Sequence, residues 1–265
     1  MKIKVSPFPD YTITNEAFER DVVPNTRTNV QNPPLSGHLI MIIEHKDGSK
    51  SFNSARPIQV ADRKYVSPFP NPVHLYLSLA VEHFEVSEKI KLKNFPECGK
   101  EYSPELFLLD ADPGSTHDCY NKYFMYRMGS IILLVSALEA FMNHIIPNSF
   151  IYTQENKQGQ YKDLDKEQIE STRVSFKEKL VTVIPLALKT PLFWDGKVKY
   201  QTAILELYRH RTRLIHLKTN AKSDLERYFG QIDEMLDFDI WSAINSSIIF
   251  MNDANPDFIK VTQEN

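Results

Sequence analysis

Apolar residues recur at helical spacing through most of the chain after residue 114 and only in short runs before it, and that change divides the sequence. Phe124, Met128, Ile131, Ile132, Val135, Leu138, Met142 and Ile145 stand at intervals of three and four residues, which predicts a long amphipathic helix stopped by Pro147. Residues 165–188 repeat the pattern with Phe176, Leu180, Val183 and Ile184 on one side, and Pro185 is expected to kink or end that helix. A third helix is predicted over residues 199–217. A fourth runs over residues 224–251 on Leu225, Tyr228, Phe229, Ile232, Leu236, Ile240, Ile244, Ile248 and Phe250. Residues 148–163 are polar and 189–196 turn-rich, so both read as connections. Four helices with short links predict an antiparallel bundle.

The first part of the chain reads differently. Pro7, Pro9, Pro24, Pro33 and Pro34 disfavour long helices over residues 1–36 and favour extended or irregular chain. From His38 a β-rich run leads into Lys46-Asp47-Gly48-Ser49 and a shorter alternating run, which predicts a β-hairpin turning on the Asp-Gly step. Residues 72–92 read as a helix, and residues 95–114, with Pro96, Gly99, Pro104 and Pro113, as a connector. The expected fold class is therefore mainly α. A helical bundle over residues 115–265 follows a smaller α+β or irregular region, residues 1–114, that contains the hairpin and carries no recognisable function.

Composition narrows the function classes. The 265 residues, 42% of them hydrophobic, suffice for a folded core. A net charge of −3 argues against a general nucleic-acid coat or a membrane-surface protein, so any anionic ligand must meet a local patch. Cys98 and Cys119 form no Cys-x-x-Cys pair and have no zinc-type histidine spacing, which points to a reducing, cytoplasmic setting without disulfides, metal or cofactor. The N-terminus lacks the apolar core of a signal peptide, and uninterrupted apolar runs such as Ile131–Val135 and Ile248–Met251 are too short to span a bilayer, so no membrane partner is expected.

The local patch lies in residues 201–222. No acidic side chain separates Glu206 from Asp224, while Arg209, Arg211, Arg213, Lys218 and Lys222 supply positive charge. At about 100° per residue, Ile204, Leu207, Tyr208, Leu214 and Ile215 form one apolar stripe, Arg211 falls inside it, and His216 lies about 140° round from Arg211. Arg209, seven residues before His216, shares its face. An arginine on an apolar stripe is costly unless it pairs or borders an interface. A purely structural reading pairs Arg211 with Asp233 or Glu234 of the last helix and leaves His216 as a helix cap. His38, His45, His74, His83, His117, His144 and His210 show no spacing of ligand type and read as ordinary surface or core residues.

Arg211-Thr212-Arg213-Leu214-Ile215-His216 resembles the R-x(4 to 6)-H motif of the HEPN superfamily, with Thr212 where asparagine is usual. Ser136-Ala137-Leu138-Glu139-Ala140-Phe141-Met142-Asn143 is similar to the Leu-Glu-Ala-Phe-hydrophobic-Asn signature of an early helix in that family, and Phe176-Lys177-Glu178-Lys179-Leu180 lies between the two, in the family's order. The resemblance covers roughly residues 115–252. It implies a metal-independent endoribonuclease that works as a homodimer, the motif helices of two copies facing each other, of the kind that serves as a toxin or defence effector with an antitoxin or other regulatory protein as partner. In it His216 would be the acid/base for attack of a 2′-hydroxyl on the adjacent phosphate, and Arg211 the phosphate clamp. Arg209, Arg213 and Lys218 would guide the RNA backbone, with Thr212 and Glu139 as supporting residues. The alternative is a catalytically silent domain of the same type that binds nucleotide, RNA or a protein partner.

Overall fold

The computed structural model describes residues 2–5, 12–13, 35–36, 39–44, 50–109, 116–155, 158–171, 173–216 and 225–264. The chain is mainly helical with small antiparallel sheets. It divides into two compact units, one of Met1–Val5 with Tyr76–Asn265 and one of Ser6–Leu75, so residues 76–109 group with the helical part. Strand β1 (Lys2–Val5) belongs to the larger unit, where it pairs with the last strand, Val261–Glu264.

The smaller unit is built on a four-stranded antiparallel sheet of β2 (Thr12–Ile13), β3 (Leu39–Glu44), β4 (Lys50–Val60) and β5 (Arg63–Pro68). The expected hairpin is β3–β4, with Leu39 opposite Ala55 and Glu44 opposite Lys50; its Asp47-Gly48 turn lies outside the described residues. Strand β4 runs further than the hairpin requires, and its second half pairs with β5, Ala55 opposite Pro68 and Val60 opposite Arg63.

Helix α1 (Pro72–Lys89) begins where the Asn71 side chain accepts the Val73 N–H at 2.9 Å. It continues through a widened π turn, Ile90–Asn94, into Phe95–Cys98. The expected connector over 95–114 is thus partly ordered secondary structure. Strands β6 (Gly99–Ser103) and β7 (Leu106–Leu109) form a hairpin around Pro104-Glu105, with Glu105 at φ +71. Pro96 hid this order from the sequence, because a proline reads as a helix breaker whereas here the turn before it widens and lets the helix continue.

Helix α2 (Thr116–Ile145) is the predicted long helix. By length and composition its Cys119–Ile145 stretch is apolar enough to cross a membrane, which a search for uninterrupted apolar runs passes over. Its apolar side is accounted for by packing, since Ile131, Leu134, Leu138 and Phe141 are fully buried. The stretch expected as a plain loop over residues 148–163 instead holds a further hairpin, β8 (Tyr152–Glu155) with β9 (Tyr161–Leu164). Its only buried cross-strand pair is Tyr152 with Leu164, so alternation is too brief to show in the sequence.

The single helix expected over 165–188 is two. Helix α3 (Lys166–Glu170) starts with a capping box, in which Asp165 Oδ1 accepts from Gln168 N at 2.8 Å and Gln168 Oε1 accepts from Asp165 N. Helix α4 consists of Phe176–Glu178, a π turn Lys179–Val183 and Ile184–Ala187, and Ser175 caps it. Pro185 neither ends nor breaks α4. It has no N–H for the Val181 carbonyl, and the turn before it widens so that Ile184 N–H reaches back to the Lys179 carbonyl. The same device precedes Pro96, where Phe95 N–H reaches the Ile90 carbonyl.

Helix α5 (Val198–Ile215) matches the expected third helix, and α6 (Leu225–Asp237) and α7 (Ile240–Ala254) replace the expected fourth. The break falls at Asp239, whose carboxylate accepts the Ser242 N–H at 2.9 Å and restarts the chain as α7. Strand β10 is Val261–Glu264. Helix α5 packs on α2 and α7, and Leu134, Leu138, Phe141, Ile204, Leu207, Ile244 and Phe250 fill the space between them. Two close fits tie α2 to α1. Ser130 Oγ donates to the Ala80 carbonyl at 2.8 Å, and Gly129 leaves room for the His83 ring, which a β-carbon there would strike.

Arg127 of α2 holds the α6–α7 joint. Its guanidinium is buried, donates to the Phe238 carbonyl at 2.7 Å and the Met235 carbonyl at 3.4 Å, and pairs with Glu88 of α1 at 3.2 Å. These carbonyls at the end of α6, which also accept the Phe238 and Ile240 N–H groups, thereby gain a charged donor.

Candidate functional site

Helix α5 buries Ile204, Leu207, His210 and Leu214. His210, read from sequence as an ordinary residue, is only 5% exposed and lies with its ring 4.4 Å from that of Phe238. Burial pushes its pKa down to about 4. Arg209 pushes in the same direction, Glu234 opposes, and Arg213 adds a smaller lowering. The sign of the linkage follows. The unfolded chain takes up a proton near pH 6.5 that the folded chain refuses until about pH 4, so stability falls as pH drops through that window. We expect the unfolding free energy from urea titrations to decline between pH 7 and pH 4.5 by roughly 2–3 kcal/mol at most, and the decline to shrink in His210→Gln; an unchanged slope in that variant would remove His210 as its cause.

The basic and motif residues of α5 and the segment just after it do different jobs. Arg209 pairs with Glu234 of α6 at 3.7 Å, and Arg213 pairs with the same carboxylate. The structural alternative, Arg211 paired with Asp233 or Glu234, is therefore not what the fold adopts. Thr212 Oγ donates to the Tyr208 carbonyl at 2.9 Å, a bond within its own helix. His216 is exposed and caps α5, its N–H donating to the Thr212 carbonyl at 3.2 Å. Lys218 lies outside the described residues.

Arg211 stands where the apolar side of α5 opens on to a cavity of about 360 Å³. Helix α2 contributes Glu139 and Asn143, the end of α3 contributes Glu170, α4 contributes Phe176 and Lys179, and α5 contributes Tyr208 and Arg211. The spacings are i, i+4 on α2 and i, i+3 on α4 and α5, which put each pair on one helix face. Phe176 and Tyr208 stack with centroids 4.2 Å apart and planes 4° from parallel.

Lys179 is buried, its Nζ donating to the Glu170 carbonyl at 3.3 Å. Burial lowers its pKa, against the opposing pull of Glu139 and Glu170. Several lining groups are already satisfied. Ser171 Oγ donates to Gln168 O, Ser175 Oγ accepts from Glu178 N, and the Glu170 carboxylate meets Lys166 at 3.7 Å. Asn143 Oδ1 is buried with no hydrogen-bond partner, and among the described residues neither Arg211 nor Glu139 makes a hydrogen bond or ion pair. The hairpin β8–β9 fixes the start of α4, because Tyr152 OH and Gln154 Nε2 both donate to Glu178.

The structure thus brings Arg211 and Glu139 to one cavity and leaves His216 outside it. Comparison of the chain with protein-family models, with curated proteins and with solved structures finds no match. The site stands on its own chemistry. Lys179, Asn143 and Tyr208 received no role from the sequence, although Asn143 and Lys179 lie in the two segments that carry the resemblance. What was missing is convergence, since three helices bring them together from positions far apart in the chain. Among the described residues no group of three or more His, Cys, Asp or Glu converges.

Proposed function

We propose that the protein is a HEPN-type endoribonuclease whose helical bundle pairs with a second copy, and that it cleaves RNA by 2′-hydroxyl attack without a metal. The observation that carries this reading is Arg211. Of the three arginines on α5, two share Glu234, and the third has no ion pair among the described residues and lines a ligand-sized cavity. A free guanidinium at such a place suits a phosphate, which it can hold bidentately and stabilise as charge grows in the transition state. In the reaction the 2′-oxygen bonds to phosphorus, the 5′-oxygen leaves, and a histidine takes the proton from one and returns a proton to the other. His216, exposed at the end of α5, is free to meet a bound strand or a second subunit.

The full chain, incubated with single-stranded RNA in a chelator, is expected to yield fragments with 2′,3′-cyclic phosphate and 5′-hydroxyl ends and to leave the matching DNA intact. Arg211→Ala should lose about 10²-fold in rate, and Arg209→Ala and Arg213→Ala much less. Intact RNA across a panel of sequences, or equal cutting of DNA, would sink the reading. A silent domain that binds nucleotide, RNA or a protein partner is favoured by one observation, the position of His216 outside the cavity that Arg211 lines. RNA retained by the protein and never cut would decide for it.

A further inference from the structure

We propose that the cavity between α2, α4 and α5 is a guanine-binding pocket. The charges that line it, Lys179 and Arg211 against Glu139 and Glu170, sum to zero. Its deep part therefore does not suit a phosphate, whose negative charge would go uncompensated, and does suit a neutral, planar, hydrogen-bonding group. The groups still unsatisfied define that group. They comprise two acceptors, the Glu139 carboxylate and the buried Asn143 Oδ1, and the donors that Lys179 Nζ has left after its one bond to Glu170.

Guanine is the base whose Watson–Crick edge offers N1–H and N2–H₂ side by side, next to the O6 acceptor. A carboxylate can take N1–H and one N2 hydrogen together, leaving the other for Asn143 and O6 for Lys179. Adenine and cytosine bring an amino group, whose two hydrogens can reach one carboxylate oxygen and Asn143, but no adjacent ring N–H for the second carboxylate oxygen, and uracil brings one ring N–H alone, so each gives up the paired contact to Glu139 that guanine makes. The Phe176–Tyr208 stack supplies an aromatic wall for the ring. Arg211, half-buried where Lys179 is buried, is left to hold the phosphate, and this part alone rests on the reading of Arg211 given above.

Free guanine nucleotide and a guanine within RNA share this chemistry, and binding distinguishes them. The full-length protein is titrated calorimetrically with GMP, IMP, AMP, CMP and UMP, and with the trinucleotides ApGpA and ApApA. GMP should bind about tenfold or more tightly than AMP, CMP or UMP, and IMP, which lacks the 2-amino group, should lose most of that advantage. Glu139→Gln and Asn143→Leu should each erase the preference while circular dichroism stays that of the native protein. A preference shown by ApGpA and absent from the mononucleotides assigns the pocket to RNA; one shown by GMP and not increased in ApGpA assigns it to the free nucleotide. Equal affinity for all bases, no binding at all, or a preference that survives both substitutions overturns the proposal. Should either variant fail to fold, the order GMP, IMP, AMP on the native chain still decides. None of these readouts requires cleavage, so a protein that binds guanine and cuts nothing refutes the ribonuclease alone.

Discussion

Replacing His216 by alanine is expected to lower RNA cleavage about 10²–10⁴-fold, with substrate binding little changed. The expectation follows from placement. The His216 side chain is exposed beyond the last turn of α5, and among the described residues it takes no part in a hydrogen bond or ion pair, so its removal costs the fold little. A large loss of rate with an unchanged unfolding midpoint would therefore report chemistry. The comparison with His210 sharpens the test. His210 is buried against Phe238 on the same helix and held neutral, so His210→Gln should lower stability far more than turnover per folded molecule. If His216→Ala cuts RNA as fast as the native chain, His216 is not the acid/base and the proposed mechanism falls.

The second large effect concerns Arg127. Arg127→Ala is expected to destabilise the helical unit by about 1.5–3 kcal/mol, measured by denaturant unfolding at neutral pH. The substitution removes the charged donor from the Met235 and Phe238 carbonyls, leaving them only the Phe238 and Ile240 N–H groups, and it frees Glu88. Glu88→Gln should cost much less, because Glu88 is 32% exposed and water can take over. The joint that Arg127 holds is also where Phe238 covers His210, so loosening it releases one side of α5. A loss below about 1 kcal/mol, the worth of an exposed ion pair, would show that α6 and α7 are held by their apolar contacts alone.

Much of the helical architecture is legible in the sequence, because long helices advertise themselves by period. Helices α2 and α5 are found near their expected bounds on the strength of Ile131, Leu138, Leu207 and Leu214. The failures share a cause. A count of apolar spacings does not register a cap, so Ser175 and Asp239, each polar at the head of a new helix, sit unnoticed inside what reads as one periodic run. The hairpins β6–β7 and β8–β9 are lost because strands of four or five residues are too short to give an alternation to count, with one buried cross-strand pair in β8–β9 and Tyr102, Leu106 and Phe107 exposed in β6–β7.

The site is legible in part. Arg211 and Glu139 follow from local motifs, and the structure does place both on one cavity. Which arginine stands unpaired does not follow, since it depends on Glu234 of α6 reaching Arg209 and Arg213. One carboxylate between two guanidiniums leaves Arg211 as the one arginine of α5 without an ion pair among the described residues, and no pattern along α5 alone could say so.

The widened turn of α4 governs more than the local backbone. With Ile184 reaching back five residues to Lys179, one more residue is housed in that turn than a regular helix would hold. Measured from Ile184, the head of the helix is thereby re-indexed by about 100°. In the unwidened phase Phe176 would not lie under Tyr208, and Lys179 would point away from Glu139. Pro185, which is on none of the cavity's walls, therefore acts as its timing mark, because a residue lacking an N–H on one side of the turn dictates which side chains arrive on the other.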